Sequence, residues 1–440
     1  MRRKIIISGL IAAILLTASC IFWGAAVPIP PPSITGDNSG GAIVMYAIYE
    51  TLTEQDYYVQ RISPEGDFLW GERGVLIGST GNGIPYSEAV SDGSGGAIVS
   101  WWECLPEVPG EPSSCQTYVA RIDSEGDVQW QWGEEGVEIE SMIADGAGGV
   151  IIGVWAADTK GSLVKIDSEG NLPWGEDGVS VGLVPEYPNQ MVSDGSGGVI
   201  VVGCTFQGDS DAVYAQRVDS AGNTLWGSGG VQVFVGLVEG ACIAGDGSGG
   251  GIIVFEQVTP STDSDIYVQK VDAEGDILWG PDGVPICVGP SPQYSPQIVA
   301  DGAGGAISFW VDESGVCAQR VDADGHKPWN EDVLLCDSTY VRIASDGSGG
   351  AFCVSYYGVA KRLDARGTEL WGSDGITFTP EAIHEPGLAL VPDDCGGLLI
   401  SWAEDVKWRH YEISNVSYYV QRIDAEGNVV WGDEEILLNP

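Results

Sequence analysis

The sequence predicts an all-β fold, a single eight-bladed β-propeller of four-stranded blades after an N-terminal signal or anchor segment. Three observations predict it. A glycine turn recurs eight times, at intervals of 45 to 55 residues. A second signature, ending in Trp, follows every copy. Between the two lie short β-branched and aromatic runs bounded by Gly and Asp, without sustained 3.6-residue periodicity or helix caps. The composition agrees: 64 Gly and 23 Pro make up about a fifth of the 440 residues, a turn-rich content. With 44% hydrophobic residues and 16 Trp, there is enough apolar material for a core, which excludes wholesale disorder.

Residues 1–26 stand apart from the rest. Arg2, Arg3 and Lys4 form a basic start, and residues 5–27 carry no charge. A positive start followed by an apolar run reads as an export signal. Three outcomes stay open. Leu16-Thr17-Ala18-Ser19-Cys20 is similar to a bacterial lipoprotein box with Cys20 as the lipidated residue, although Thr17 stands where Leu is usual. Gly24-Ala25-Ala26 offers small residues for ordinary cleavage after Ala26. The uncharged run is also long enough to span a bilayer uncut. Each outcome places the body outside the cytoplasm, anchored on the outer face of the membrane or secreted. Residues 27–31 read as a Pro-rich spacer, and 32–440 as the eight repeats.

The turn begins at Asp37, Asp92, Asp145, Asp194, Asp246, Asp301, Asp346 and Asp393, typically as Asp92-Gly93-Ser94-Gly95-Gly96. The second signature, Arg61-Ile62-Ser63-Pro64-Glu65-Gly66-Asp67-Phe68-Leu69-Trp70, recurs with its Trp at 130, 174, 226, 279, 329, 371 and 431. In the sixth unit the expected strands are 297–300, 305–310 and 316–321, with a fourth carrying Trp329. Units of this length, each of four strands, point to a propeller. The units are complete, so closure is expected from side-chain packing between first and last, with a shared strand as the alternative. Residues present in every copy serve the unit. Gly pairs allow positive φ in a tight hairpin, and Asp bonds turn amides. Trp supplies a flat face for inter-blade packing. The third strand carries Arg61, Arg121, Lys165, Arg217, Lys270, Arg320, Arg362 and Arg422, 8 of only 19 bases, read here as fixed partners of the turn Asp residues.

The run Asp272-Ala273-Glu274-Gly275-Asp276-Ile277-Leu278-Trp279 resembles the tryptophan-docking repeat of quinoprotein dehydrogenases, which form eight-bladed propellers. It is also similar to the Asp-box turn of sialidase-type propellers. Both resemblances imply a propeller; neither carries over a quinone or sialidase site, because no matching catalytic set is present. The whole pattern, with residues 91–99 and 118–123, more closely resembles repeat arrays of exported bacterial and archaeal surface proteins.

Charge limits the partners. The chain holds 63 acidic and 19 basic residues, a formal net charge of −44. Nucleic-acid binding needs cationic surface and is excluded on this ground. Docking of a basic patch on anionic lipid is disfavoured too, leaving the N-terminus as the membrane contact. A monomer with an extracellular ligand, glycan or protein, is expected, with no cofactor and no metal site. Asp322-Ala323-Asp324-Gly325 lacks the third Asp and distal Glu of a calcium loop. Nucleophile-elbow, zincin, P-loop and paired-Cys zinc motifs are all missing from the sequence.

The turns between strands one and two and between three and four are short and uniform, and in a propeller they share one face. The other loops vary and share the opposite face, where binding is expected. Second strands end there in aromatics, Tyr46, Trp101, Phe255, Trp310 and Trp402, with Glu103, Asp312 and Glu404 nearby. Aromatics with carboxylates suit a sugar or a cation; strand-end packing is the plainer reading of the same residues. The longest insertion, residues 405–417, contributes Trp408, Arg409 and His410, a unique mix of aromatic, cationic and titratable groups. It also holds a sequon, Asn415-Val416-Ser417. The ten Cys fit an oxidising setting, and Cys104 and Cys115 flank one loop, placed to bridge its strands. These readings favour a non-catalytic binding or scaffold module. A carbohydrate-active enzyme using carboxylates on the variable face is the alternative, since propeller sites assemble residues from several blades.

Overall fold

The computed structural model describes residues 32–49, 55–80, 87–104, 115–155, 161–182, 190–205, 211–258, 264–379, 383, 387–404, 408–409, 412–413, 416–432 and 435–439. Within them every regular element is a strand. Eight four-stranded antiparallel sheets form, each from consecutive segments. Blade 1 runs Ser33–Gly36, Ala42–Tyr49, Gln55–Ile62 and Val75–Thr80. The innermost strands of blades 2 to 8 are Ser87–Ser91, Glu138–Ala144, Gln190–Ser193, Val238–Gly245, Tyr294–Ala300, Val341–Ser345 and Leu388–Pro392. Each innermost strand touches those of the two neighbouring blades, and the series closes from blade 8 back to blade 1. The last blade carries an extra hairpin, Trp408–Arg409 with Glu412–Ile413, between its second and third strands.

Second strands are apolar on both faces because each sheet is sandwiched between two others. Ala42, Ile43, Val44 and Met45 are all fully buried. Ile43 and Met45 face blade 2, whereas Ala42 and Val44 face blade 8. Continuous burial on both faces replaces the alternation of a half-exposed sheet.

The repeated turn is a small machine of fixed parts. Asp37 Oδ1 accepts from the amides of Ser39 (2.9 Å) and Gly41 (2.8 Å). Gly40 has φ +87°, and a Cβ on Gly41 would lie 2.2 Å from the Ile62 carbonyl oxygen, so one glycine serves conformation and the other close approach. Asp37 Oδ2 accepts from Arg61 Nε at 3.0 Å. The same Asp–base pair forms in all eight blades, with each Asp side chain at most 3% exposed. The expected role of the third-strand bases is therefore seen in every copy. Burial opposes ionisation of Asp37, Asp92, Asp246 and Asp346, but hydrogen bonds from the turn, together with the adjacent base, outweigh it and hold them below the usual carboxylate range.

Each base also reaches into the next blade. Arg61 Nη1 donates to Ser124 O (3.0 Å), Arg121 to Ser168 O (2.9 Å), and Arg422 returns to Pro64 O (3.2 Å) in blade 1. The repeated Trp does likewise: Trp70 Nε1 donates to Ser124 O at 3.1 Å and Trp431 to Pro64 O at 3.0 Å. Glycines of the receiving turns lie directly on these rings, as Gly126 on Trp70 and Gly66 on Trp431. Blades 1 and 8 share no strand, so closure rests on these contacts and a joint apolar cluster.

One expectation is corrected. The repeated Trp does not sit in the fourth strand: in blade 6 that strand is Val333–Cys336, beyond Trp329. Only in blade 2, Val128–Glu135, does it carry its Trp, Trp130. In blades 1, 4, 5 and 8 a side-chain bond stands in for the ladder. Trp70 N donates to Gln60 Oε1 (3.1 Å), and Trp226 and Trp431 bond Gln216 and Gln421 in the same way. The amide is thus held by a third-strand Gln side chain instead of a ladder, and the indole swings toward the next blade.

Candidate functional site

The aromatics at the ends of the second strands are packed inside the ring. Trp101, Trp310 and Trp402 are at most 1% exposed, and Tyr46 and Phe255 are equally deep. Trp101 stacks on Tyr118 at 5.2 Å, and Trp402 on Tyr419 at 5.8 Å. Glu404 Oε1 accepts from Trp402 Nε1 (2.6 Å) and Thr379 Oγ1 (2.8 Å), tying blade 8 to the end of blade 7. Asp312 Oδ1 caps the Ser314 amide at 2.7 Å in a tight hairpin. Trp310 Nε1 is buried with no partner among the described residues. Glu103 lies in a second strand opposite Gln116, and Cys104 lies directly opposite Cys115. Trp408 and Arg409 form a hairpin strand. The side chains of these four, with Cys115, His410 and Cys20, lie outside the described residues.

What the structure does present on the variable face comes from blades 3 to 7. Three innermost strands bulge at that end. In blade 3 the extra residue is Glu140, between Ser141 (opposite Gly153) and Ile139 (opposite Val154). In blade 5 it is Glu239. In blade 6 the bulge falls at Ser295-Pro296, where Ser295 adopts φ +55°. Bulges re-aim side chains at sheet ends and recur at binding sites. Here they gather carboxylates. Glu256 is buried beside Glu239; its Oε2 accepts from Ser295 N at 3.2 Å. Burial, aided by the Glu239 charge, pushes its carboxyl up to about 7 despite the bonds it accepts. Burial and Glu138 do the same to Glu140, also to about 7.

An aromatic cluster adjoins the blade 5–6 carboxylates. Burial first, then the charges of Tyr340, Asp312 and Glu256, raises the Tyr294 hydroxyl above its usual range. Tyr340 meets Tyr356 edge-on at 6.4 Å, and Arg342 lies over the Tyr356 ring at 5.9 Å. Tyr340 and Tyr357 are 51% and 64% exposed, an unusual display for rings free to pack inward. The arrangement combines stacking faces, a guanidinium, and a carboxyl that near pH 7 both donates and accepts. Sequence reading missed it because these residues break the repeat singly, without a motif. The available signal was Tyr340 and Tyr357 flanking blade 7's first strand and its second-to-third-strand loop.

One acidic group has metal-like spacing, Asp322, Asp324 and His326. It lies on the opposite, uniform face. Asp322 Oδ1 there accepts from the amides of Asp324 (3.0 Å) and His326 (2.8 Å), which is ordinary repeat-turn bonding.

No protein-family model matches the chain, and no curated protein matches it by sequence. Solved structures with a similar course include a eukaryotic initiation factor, at 11% identity and TM-score 0.48 over 89% of this chain and 87% of that one. Prolyl oligopeptidase B from Galerina marginata matches at 11% identity and TM-score 0.47, over 90% of this chain and 55% of the peptidase. A Hadza microbial sialidase gives 12% and 0.33, over 74% of this chain and 62% of that one. These similarities assign no activity. The class of protein defined here, an eight-bladed β-propeller, rests on the chain's own strand pairing.

Proposed function

We propose that the chain is an exported, membrane-tethered monomer that binds a glycan on the blade 5–7 sector of its variable face, without catalysis. The observation that carries this reading is the exposure of Tyr340 and Tyr357 in blade 7, where Tyr340 and Arg342 both lie against Tyr356. Aromatic faces take the apolar side of a sugar ring; the guanidinium and carboxyls take its hydroxyls. The N-terminal segment, through Cys20 or as an uncut span, supplies the tether. A second reading, a carbohydrate-active enzyme, draws on Glu140 and Glu256, each protonated to a useful degree near neutrality.

A glycan array and a hydrolysis screen on residues 27–440, which contain every described residue, separate the two. Binding without turnover is expected, weakened at least about tenfold by Arg342→Ala or Tyr340→Ala with the thermal midpoint preserved. Turnover abolished by Glu256→Gln or Glu140→Gln would establish the enzyme instead. Mass spectrometry of the mature N-terminus tests the tether: a lipidated Cys20 or an intact segment supports it, and an unmodified start at Val27 removes it.

A further inference from the structure

Seven cysteines have described side chains, and none of them is in a disulfide. Six fall near one another across three consecutive blade interfaces, but the three sets are built differently. Cys204 belongs to the core between blades 4 and 5, whereas Cys242 points into the core between blades 5 and 6, where its Sγ meets Pro296 O at 3.3 Å. Cys287 and Cys317 share the blade 5–6 core, yet Cys317 Sγ is engaged by Asp312 Oδ2 at 3.6 Å. Cys336 and Cys353 share the blade 6–7 core and contact each other thiol to thiol. Cys336 ends the fourth strand of blade 6, opposite Val316, and is half-buried. Cys353 lies in the second strand of blade 7, is fully enclosed, and has Lys361 directly across the sheet.

We infer that Cys336 and Cys353 form a reversible redox pair, oxidised to a disulfide that staples blade 6 to blade 7 while Cys204, Cys242, Cys287 and Cys317 stay reduced. The pairing does not depend on what the variable face binds.

The chemistry is asymmetric in a useful way. The thiol of Cys353 bonds Cys336, and with the Ser338 amide and the charge of Lys361 it outweighs burial, holding Cys336 below the usual thiol range. Cys353 moves well up for the converse reason. Cys336, half-buried, is the thiol a solvent oxidant reaches and so the attacking thiolate, and Cys353, enclosed, is the resolving thiol. With a low-molecular-weight disulfide such as oxidised glutathione as oxidant, the Cys336 thiolate attacks one sulfur and expels a glutathione thiolate. Cys353 then loses its proton and attacks the Cys336 sulfur of the mixed disulfide, expelling the second glutathione. Two protein thiols are oxidised and one glutathione disulfide is reduced to two thiols. The other thiols lack this activation: burial with nearby acids pushes Cys317 to about 12 and Cys287 to about 11, and burial pushes Cys204 and Cys242 to about 12.

The test uses the full chain equilibrated in glutathione buffers of rising oxidised fraction, trapped by alkylation and mapped by peptide mass spectrometry. A Cys336–Cys353 crosslink is expected, lighter by about 2 Da than the dithiol form and reopened by reduced glutathione. Cys204, Cys242 and Cys317 should alkylate only after unfolding. In the reduced protein at pH 7, Cys336 should alkylate at least about tenfold faster than Cys287. Cys353→Ser should halt the reaction at a glutathione adduct on Cys336, a readout that keeps the step visible if the bridge itself is strained. The inference is overturned if Cys336 and Cys353 both remain alkylatable in fully oxidised buffer, if Cys336 links elsewhere, or if Cys353→Ser carries no adduct.

Discussion

The two faces of this ring are made from the same strands yet obey opposite rules. On the uniform face, eight Asp turns, eight bases and a repeated Trp satisfy one another, and each copy hands a donor to the next blade. On the variable face, bulges interrupt the innermost strands, carboxyls are held protonated by burial, and tyrosines stay in water. The difference teaches where stability is stored. A repeated contact adds cohesion at every blade junction, so the opposite loops are free to vary without opening the ring. The small differences among copies support this. Lys165 and Lys270 replace Arg in two blades, and their Nζ atoms bond Gly197 O (2.9 Å) and Gly304 O (2.8 Å) instead of the turn carbonyl that the Arg fork reaches.

The largest effect should come from breaking a buried pair on the uniform face. Arg320→Ala removes the counter-charge of Asp301, whose side chain is 1% exposed, and urea unfolding should show a loss of about 3–5 kcal/mol. Next is the docking glycine. Gly126→Ala places a Cβ 3.0 Å from the Trp70 ring at φ +89°, for a loss of roughly 2 kcal/mol by the same measurement.

The two faces also titrate in opposite senses. Asp37, Asp92, Asp246 and Asp346 have folded values below 3.8, so their contribution is present above that pH and is lost as pH falls further. Glu140 and Glu256 are raised from 4.5 to about 7, so stability declines as pH rises between those values. The unfolding midpoint should therefore peak near pH ~4–5. Glu256→Gln should stabilise the protein by on the order of 2 kcal/mol at pH 8 and by almost nothing at pH 4. A Glu256→Gln gain that is independent of pH would contradict the assigned burial. The smallest effect belongs to Tyr340→Ala, within about 0.5 kcal/mol in stability, because the ring is half in water.

The architecture was legible because it is written eight times. Arg121 and Trp130 stand nine residues apart, as do their counterparts in every copy, and a role guessed for one copy is tested by seven others. The position of Trp ahead of the fourth strand was hidden; in four blades a third-strand Gln, such as Gln60, captures the Trp amide through its side chain, which no motif announces. The variable face was largely illegible. Trp101, Trp310 and Trp402 advertised an aromatic rim but lie within inter-blade packing, since a second strand is covered on both sides over its whole length. Glu256 and Tyr340 sit in different blades, and nothing short of the folded ring brings them together.

Amide hydrogen exchange on the native protein, resolved by peptide, tests the division between faces most directly. The amides of Gly41, Gly96, Gly149, Gly198, Gly250, Gly305, Gly350 and Gly397, each donating to its turn Asp, should exchange only through global unfolding, alike in all eight blades. Segments around Glu140, Glu239 and Ser295 should exchange through local opening at least about a hundredfold faster. Equal protection on both faces, or turn glycines that open first, would contradict the account.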